Sequence, residues 1–403
     1  MQIDPNRTAL STERLERITE HLDRSYVSPG KIAGCQTLVA RHGHVAYFKS
    51  LGLADRERGR PMTDDTIFRI YSMTKPITSV ALMMLWEQGR FQLNDPIANV
   101  IPEWREMRVY VSGEGETMET REPARPMTFR HLLSHTGGLS YGMTDHPVDR
   151  AYGGAQVIRG RGETLRTFVE RLAHVPLMYD PGDRWMYSYS TDVCGYLVEA
   201  ISGEPFDQYL QEAIFDPLGM VDTAFFVKPE KAHRLAANYA RQTDKTMVLI
   251  DDPASSTYLR EPTFISGGGG LTSTTADYLR FAEMLRGGGE LDGARIIGSR
   301  TLQLMTQNHL PGGANLASMA IGLFSETKYE GTGFGLGFAT TIDQIAAGLP
   351  CEGEFFWGGA ASTYFWVDPK DDLLAIFMTQ LMPSTTFDFR GQLKDIVYSA
   401  IVD

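Results

Sequence analysis

Ser72 and Lys75 stand three residues apart in the run Thr66-Ile-Phe-Arg-Ile-Tyr-Ser-Met-Thr-Lys-Pro76. A serine hydroxyl is a poor nucleophile until a neighbour takes its proton. Positions i and i+3 share a helix face, so Lys75 can bring its amine to the Ser72 oxygen. The first turn of a helix leaves backbone N–H groups unpaired, where developing negative charge is stabilised. Ile77, Val80, Ala81, Met84 and Leu85 follow at i, i+3, i+4, i+7, i+8, the stripe of a core-facing helix. Pro76 is tolerated only in the first turn, which sets the helix start near Ser72, and Gly89 supplies a stop. The alternative for the same spacing is a Ser72 that only caps the helix and a Lys75 that points into water. Ser325 and Lys328 repeat the spacing in a polar, glycine-flanked stretch with no apolar helix behind it, which reads as surface loop.

Two further segments carry chemistry-bearing residues. Pro181-Gly-Asp-Arg-Trp-Met-Tyr-Ser-Tyr-Ser190 turns through Pro-Gly into aromatics and then a helix, with Tyr187 on the approach. A tyrosine near an ammonium such as that of Lys75 is pushed toward ionisation and can serve as a base. Phe356-Trp-Gly-Gly-Ala360 places Gly358 and Gly359 inside an expected strand, which is costly unless another group must approach the backbone. A bound acyl group is one such visitor. Taken singly, Tyr187 and Trp357 read as core aromatics.

Other patterns point elsewhere and fail on context. Gly138-Leu-Ser-Tyr-Gly142 matches G-x-S-x-G, but it follows a helix and lacks the strand-to-helix turn that exposes such a serine, so Ser140 is a poor nucleophile candidate. Gly267 to Gly270 precede a helix without a lysine to reach a phosphate, and no P-loop or dinucleotide fingerprint exists. His131 and His135 share an expected helix face, yet no third ligand accompanies them and no other metal spacing occurs. No cofactor and no metal are expected.

The elements around these residues suggest a sheet built from both ends of the chain. Ser11 opens a helix bearing Leu15, Ile18, Leu22 and Tyr26, and Gly34 to Gly52 reads as two strands about a turn at His42-Gly43. Phe334 to Ile342 reads as a strand. Phe355 to Val367 and Leu373 to Thr379 read as a further pair around Asp368-Pro369, and a closing helix runs from about Phe389 to Ile401. The stretch from about 90 to 264 shows helical pieces and little strand. The expectation is an α+β fold with a sheet domain from 1–89 and 265–403 and a mostly helical domain, 90–264, inserted in it.

Composition bounds the partners. The 403 residues carry 38 Lys+Arg against 50 Asp+Glu, a net charge of −12, which argues against nucleic acid or an anionic membrane. Cys35, Cys194 and Cys351 form no disulfide framework and read as buried thiols. The N-terminus lacks the order of a signal peptide and no apolar run is long enough to span a bilayer, so a cytoplasmic protein is expected.

Together, in this order, the segments resemble the serine β-lactamase and penicillin-recognising superfamily, and within it the family VIII carboxylesterases related to class C β-lactamases. Arg130-His-Leu-Leu-Ser-His-Thr-Gly-Gly138 and Ile265-Ser-Gly-Gly-Gly-Gly-Leu271 strengthen the resemblance, which spans nearly the whole chain. It implies a β-lactamase/transpeptidase-like antiparallel sheet flanked by helices. It also implies Ser72 as nucleophile, Lys75 and Tyr187 as its base, and the N–H groups of Ser72 and Ala360 as the oxyanion hole. Trp357, Gly358 and Gly359 fill the place of K-T-G, and Tyr189 stands where β-lactamases carry asparagine; these four are the implied substrate-binding residues. Both departures favour a small apolar ester over an anionic β-lactam. The same machinery would also suit a β-lactamase, a D-amino-acid peptidase or an acyltransferase, and a non-catalytic scaffold is the reading from another class. Acyl chain length and oligomeric state are left open.

Overall fold

The computed structural model describes residues 2–154, 162–321 and 327–402. Its largest sheet has eight antiparallel strands. From one edge to the other they are Thr332–Phe334, Ala339–Thr341, Phe355–Gly358, Tyr364–Asp368, Leu373–Thr379, Gly34–Arg41, His44–Asp55 and Arg60–Pro61. The first and last parts of the chain meet at its centre, where Leu38 pairs with Ile376 on one side and Phe48 on the other. His42 (φ 55°) and Gly43 (φ 74°) make the tight turn of the expected hairpin, with the positive φ at both positions that such turns require. All eight residues of Gly34–Arg41 and all seven of Leu373–Thr379 are buried, because helices cover both faces.

One cover is the pair Thr12–Leu22 and Phe389–Ser399, which pack on each other. Ser11 caps the first, accepting from the Arg14 N–H, and Leu15, Ile18 and Leu22 are buried as the periodicity requires. The helix Thr275–Arg286 packs on Leu373–Thr379 and reaches the site-bearing segment, the Tyr278 hydroxyl donating to the Met73 carbonyl at 3.0 Å.

Three expectations about elements are corrected. The helix after Ser72 is buried almost all round, including Thr74, Lys75, Thr78 and Ser79, rather than along one stripe. It packs on the helix Ser190–Ser202, and a helix enclosed on every side keeps small polar residues where backbones approach closely. Phe334 to Ile342 is not one strand but two, Thr332–Phe334 and Ala339–Thr341. Between them Gly337 (φ 94°) lies so close to Ser79 that a Cβ there would sit 2.2 Å from its Oγ, so the chain must turn. Phe355 to Val367 is itself a hairpin, broken at Gly359, and Leu373–Thr379 pairs with its second strand.

The middle of the chain is mainly helical but holds short ladders that its composition hides. Val109–Ser112 pairs with Glu119–Arg121, and Asn238–Arg241 pairs with Met247–Asp251. Asn238–Arg241 also pairs with Leu381–Met382, so backbone hydrogen bonding links the middle stretch to the last part of the chain. The helix expected to carry His131 and His135 ends at Leu133. His135 follows at φ 55°, outside the helix and off its face. Ser325 of the second S-x-x-K lies outside the described residues.

Candidate active site

The turn that presents Ser72 begins with an unusual backbone. Tyr71 has φ 43°, a region that side chains other than glycine enter at a cost, so the tertiary structure must hold it there. The Ile70 N–H donates to the Leu271 carbonyl at 3.1 Å, and the Met73 N–H donates to Ile70 at 3.0 Å. Asn238 Nδ2 donates to the Tyr71 hydroxyl at 2.9 Å. A 3₁₀ turn at Tyr71–Met73 then leads into the helix Thr74–Glu87, so the helix start falls where Pro76 requires.

Lys75 Nζ lies 3.1 Å from Ser72 Oγ and donates to the Gly268 carbonyl at 2.6 Å. The amine is therefore fixed at two points, and only 1 % of Lys75 is exposed. Ser72 is 8 % exposed, at the base of a cleft of about 210 Å³. The glycine run Gly267 to Gly270 is a packed strip. Thr78 Oγ1 donates to the Gly267 carbonyl, and the Leu271 N–H donates to Thr74 Oγ1. A Cβ on Gly267 would meet the Thr191 carbonyl at 2.7 Å, and one on Gly268 would meet Asp192 Oδ2 at 2.4 Å. These glycines let two helices and the strip close on one another.

Tyr187 is 2 % exposed and lines the same cleft. Lys75 Nζ lies 4.6 Å from its ring centroid. Trp185 stacks on Tyr187 at 6.1 Å, and Tyr141 and Trp357 meet it edge-on at 5.3 Å each. Trp357 Nε1 donates to the Tyr187 hydroxyl at 3.2 Å, which fixes the direction of the phenol. His135 flanks the group at 5.1 Å from the Tyr187 ring, with Nδ1 3.2 Å from Ser188 Oγ. Burial first, and the Lys75 charge second, hold its imidazole well below the ordinary histidine range, so it is neutral at physiological pH.

The cleft brings together Ser72, Tyr187, Tyr189 and Ala360. Trp357, Gly358 and Gly359 are buried behind that wall rather than lining it. The close visitors to the two glycines belong to the protein. Cβ atoms there would come within 2.4 Å of the Arg390 guanidinium at Gly358, and within 2.4 Å of the Ile70 carbonyl at Gly359. Ser140 is fully buried, its N–H donating to the Tyr152 hydroxyl at 2.8 Å and its Oγ accepting from the Gly142 N–H. Among the described residues, no group of His, Cys, Asp and Glu is arranged to hold a metal.

Two more residues of the cleft carry no sequence motif of their own. Tyr141 sits inside the discarded G-x-S-x-G segment, and its ring lies 5.5 Å from Lys75 Nζ. Asp192 is buried in the first turn of Ser190–Ser202, accepting from Ser266 Oγ at 2.5 Å and the Gly268 N–H at 3.1 Å. It holds the strip whose carbonyl anchors Lys75. A buried acid in the first turn of a largely apolar helix was the available signal.

Residues 16–397 match the family described as Beta-lactamase. Esterase EstB from Burkholderia gladioli is 31 % identical over 399 residues, which cover 94 % of this chain and 93 % of EstB. Among solved structures, EstCE1, a hydrolase with promiscuous acyltransferase activity, superposes with a TM-score of 0.79 at 27 % identity, covering 97 % of this chain and 99 % of its own. Simvastatin synthase (LovD) from Aspergillus terreus superposes with a TM-score of 0.80 at 25 % identity, covering 95 % and 98 %. The eight-stranded antiparallel sheet with its flanking helices is the β-lactamase/transpeptidase-like fold. The chain belongs to the Beta-lactamase family and is a serine hydrolase of the family VIII carboxylesterase-like kind.

Proposed function

We propose that the protein is a carboxylesterase that cleaves small, apolar, short-acyl esters through an acyl-enzyme on Ser72. The observation that carries this reading is the Lys75 amine 3.1 Å from Ser72 Oγ, anchored on the Gly268 carbonyl beside the Tyr187 ring. Ser72 Oγ attacks the ester carbonyl, and its proton passes to Lys75 and Tyr187, which act as one titrating unit. The N–H groups of Ser72 and Ala360 hold the tetrahedral oxyanion. The C–O bond to the alcohol breaks, the alcohol leaves with the proton, and water then releases the acid and regenerates Ser72. Trp357, buried and neutral, stands where a β-lactamase would carry a cation for its substrate carboxylate, which disfavours an anionic β-lactam.

A Ser72→Ala variant should lose all p-nitrophenyl ester turnover, whereas Ser140→Ala should keep it. A fluorophosphonate probe followed by peptide mapping should label Ser72. Turnover that survives Ser72→Ala and is lost in Ser140→Ala overturns the scheme, and fast nitrocefin hydrolysis with negligible ester cleavage favours a β-lactamase instead. Transfer of the acyl group to an alcohol is a second reading, favoured by the acyltransferase activity named for EstCE1. Measuring the new ester formed in the presence of a soluble alcohol separates transfer from hydrolysis.

A further inference from the structure

A second cavity, of about 350 Å³, lies beside the Ser72 cleft. Phe225, Pro262 and Phe264 give it apolar walls and Thr257 and Thr263 polar ones, with Arg260 and Glu261 at its exposed rim. The two cavities share Tyr258, Ser266 and Gly270, so a single partition separates them. Glycine makes part of that partition. Gly270 carries no side chain, and a Cβ there would already meet the Phe225 ring at 2.8 Å. Its neighbour Gly269 faces Tyr71 with no atom within 3.6 Å of where a Cβ would stand. Tyr258 is only half-buried. Met143, which also lines the Ser72 cleft, leaves 66 % of its surface exposed, an adaptable apolar contact for a chain that leaves the cleft.

The Ser72 cleft holds about 210 Å³, and the second cavity adds about 350 Å³ on the far side of the shared wall. We propose that the second cavity receives the alcohol half of the ester, an extended apolar group that crosses the Tyr258–Gly270 partition. The inference rests on the short-acyl esterase reading above and names the larger half of its substrate.

Two isomeric esters test it: hexyl acetate, with the long half on the alcohol, and methyl heptanoate, with the long half on the acyl group. Hydrolysis is followed by titration of the released acid in the wild type and in Thr263→Trp, which fills the second cavity from an exposed position outside the Ser72 cleft. The expected result is a loss of about tenfold or more in kcat/KM for hexyl acetate, carried by KM, with methyl heptanoate changed less than about twofold. Tyr258→Ala, which removes the largest side chain of the partition, should lower the KM for hexyl acetate. Equal effects of Thr263→Trp on both isomers, or a larger effect on methyl heptanoate, overturn the inference while Ser72-dependent turnover of p-nitrophenyl acetate leaves the esterase reading intact. Absence of Ser72-dependent turnover on every ester overturns both.

Discussion

Replacing Gly359 by alanine would place a Cβ 2.4 Å from the Ile70 carbonyl oxygen and 2.2 Å from Thr363 Oγ1. The threonine hydroxyl can rotate away. The carbonyl cannot, because it accepts the Met73 N–H at 3.0 Å and starts the turn that holds Ser72. Real Cβ atoms essentially never approach closer than 3.0 Å, so the two backbones must separate by at least about 0.6 Å. Ala360 is the next residue and Ser72 lies two beyond Ile70, so the added distance falls between the two N–H groups assigned to the oxyanion hole. An oxyanion bond of about 2.9 Å would stretch to about 3.5 Å, beyond useful hydrogen bonding. Losing such a donor costs roughly a hundred- to a thousandfold in kcat, and a displacement short of full loss should cost about a hundredfold. The bond forms in the transition state, so kcat should fall with little change in KM. Gly287→Ala is the control, since its Cβ would lie 2.6 Å from the Glu290 carbonyl at the end of a helix away from the cleft. It should lower the melting temperature and leave kcat within about twofold. Steady-state kinetics on p-nitrophenyl acetate, with thermal melts on the same samples, decide the matter. A folded Gly359→Ala enzyme with kcat within about threefold of wild type refutes the assignment of Ala360.

Other outcomes follow from buried and paired groups. The Arg121 guanidinium, with the Ala124 N–H, holds the Asp180 carboxyl below its ordinary value against the opposing pull of desolvation. A depressed carboxylate stabilises the fold above the unfolded-state pKa, and that contribution is lost as pH falls through the native value. Melting temperatures recorded between pH 6 and pH 2.5 should therefore drop less steeply for Asp180→Asn than for wild type; parallel curves would contradict the pairing. Burial pushes the Cys35 thiol up to about 12, and Cys194 and Cys351 upward as well. Ellman's reagent should label none of the three in the native protein and all three in denaturant, and rapid native labelling would show that a thiol is open to solvent.

Much of the fold could be read locally. The Ser11 cap and the His42-Gly43 turn act within a few residues, so their chemistry is written in the chain. The misjudged elements depend on partners distant in sequence. Phe334 to Ile342 has the composition of one strand, and only the approach of Ser79, more than 250 residues earlier, forces the turn at Gly337. The glycines at 267 and 268 suggest flexibility until Thr191 and Asp192 are seen against them.

The candidate site divides in the same way. Ser72 and Lys75 are three residues apart on one turn, so the geometry of the helix alone nearly fixes their separation, and the sequence by itself determined that pair. The place of Tyr187 beside them, the indole that orients its phenol, the carbonyl that anchors the lysine and the second cavity behind Tyr258 come from residues 100 or more positions away. Their meeting is decided by how the sheet and helices pack, because burial excludes water from the amine only when all of these surfaces close on it together.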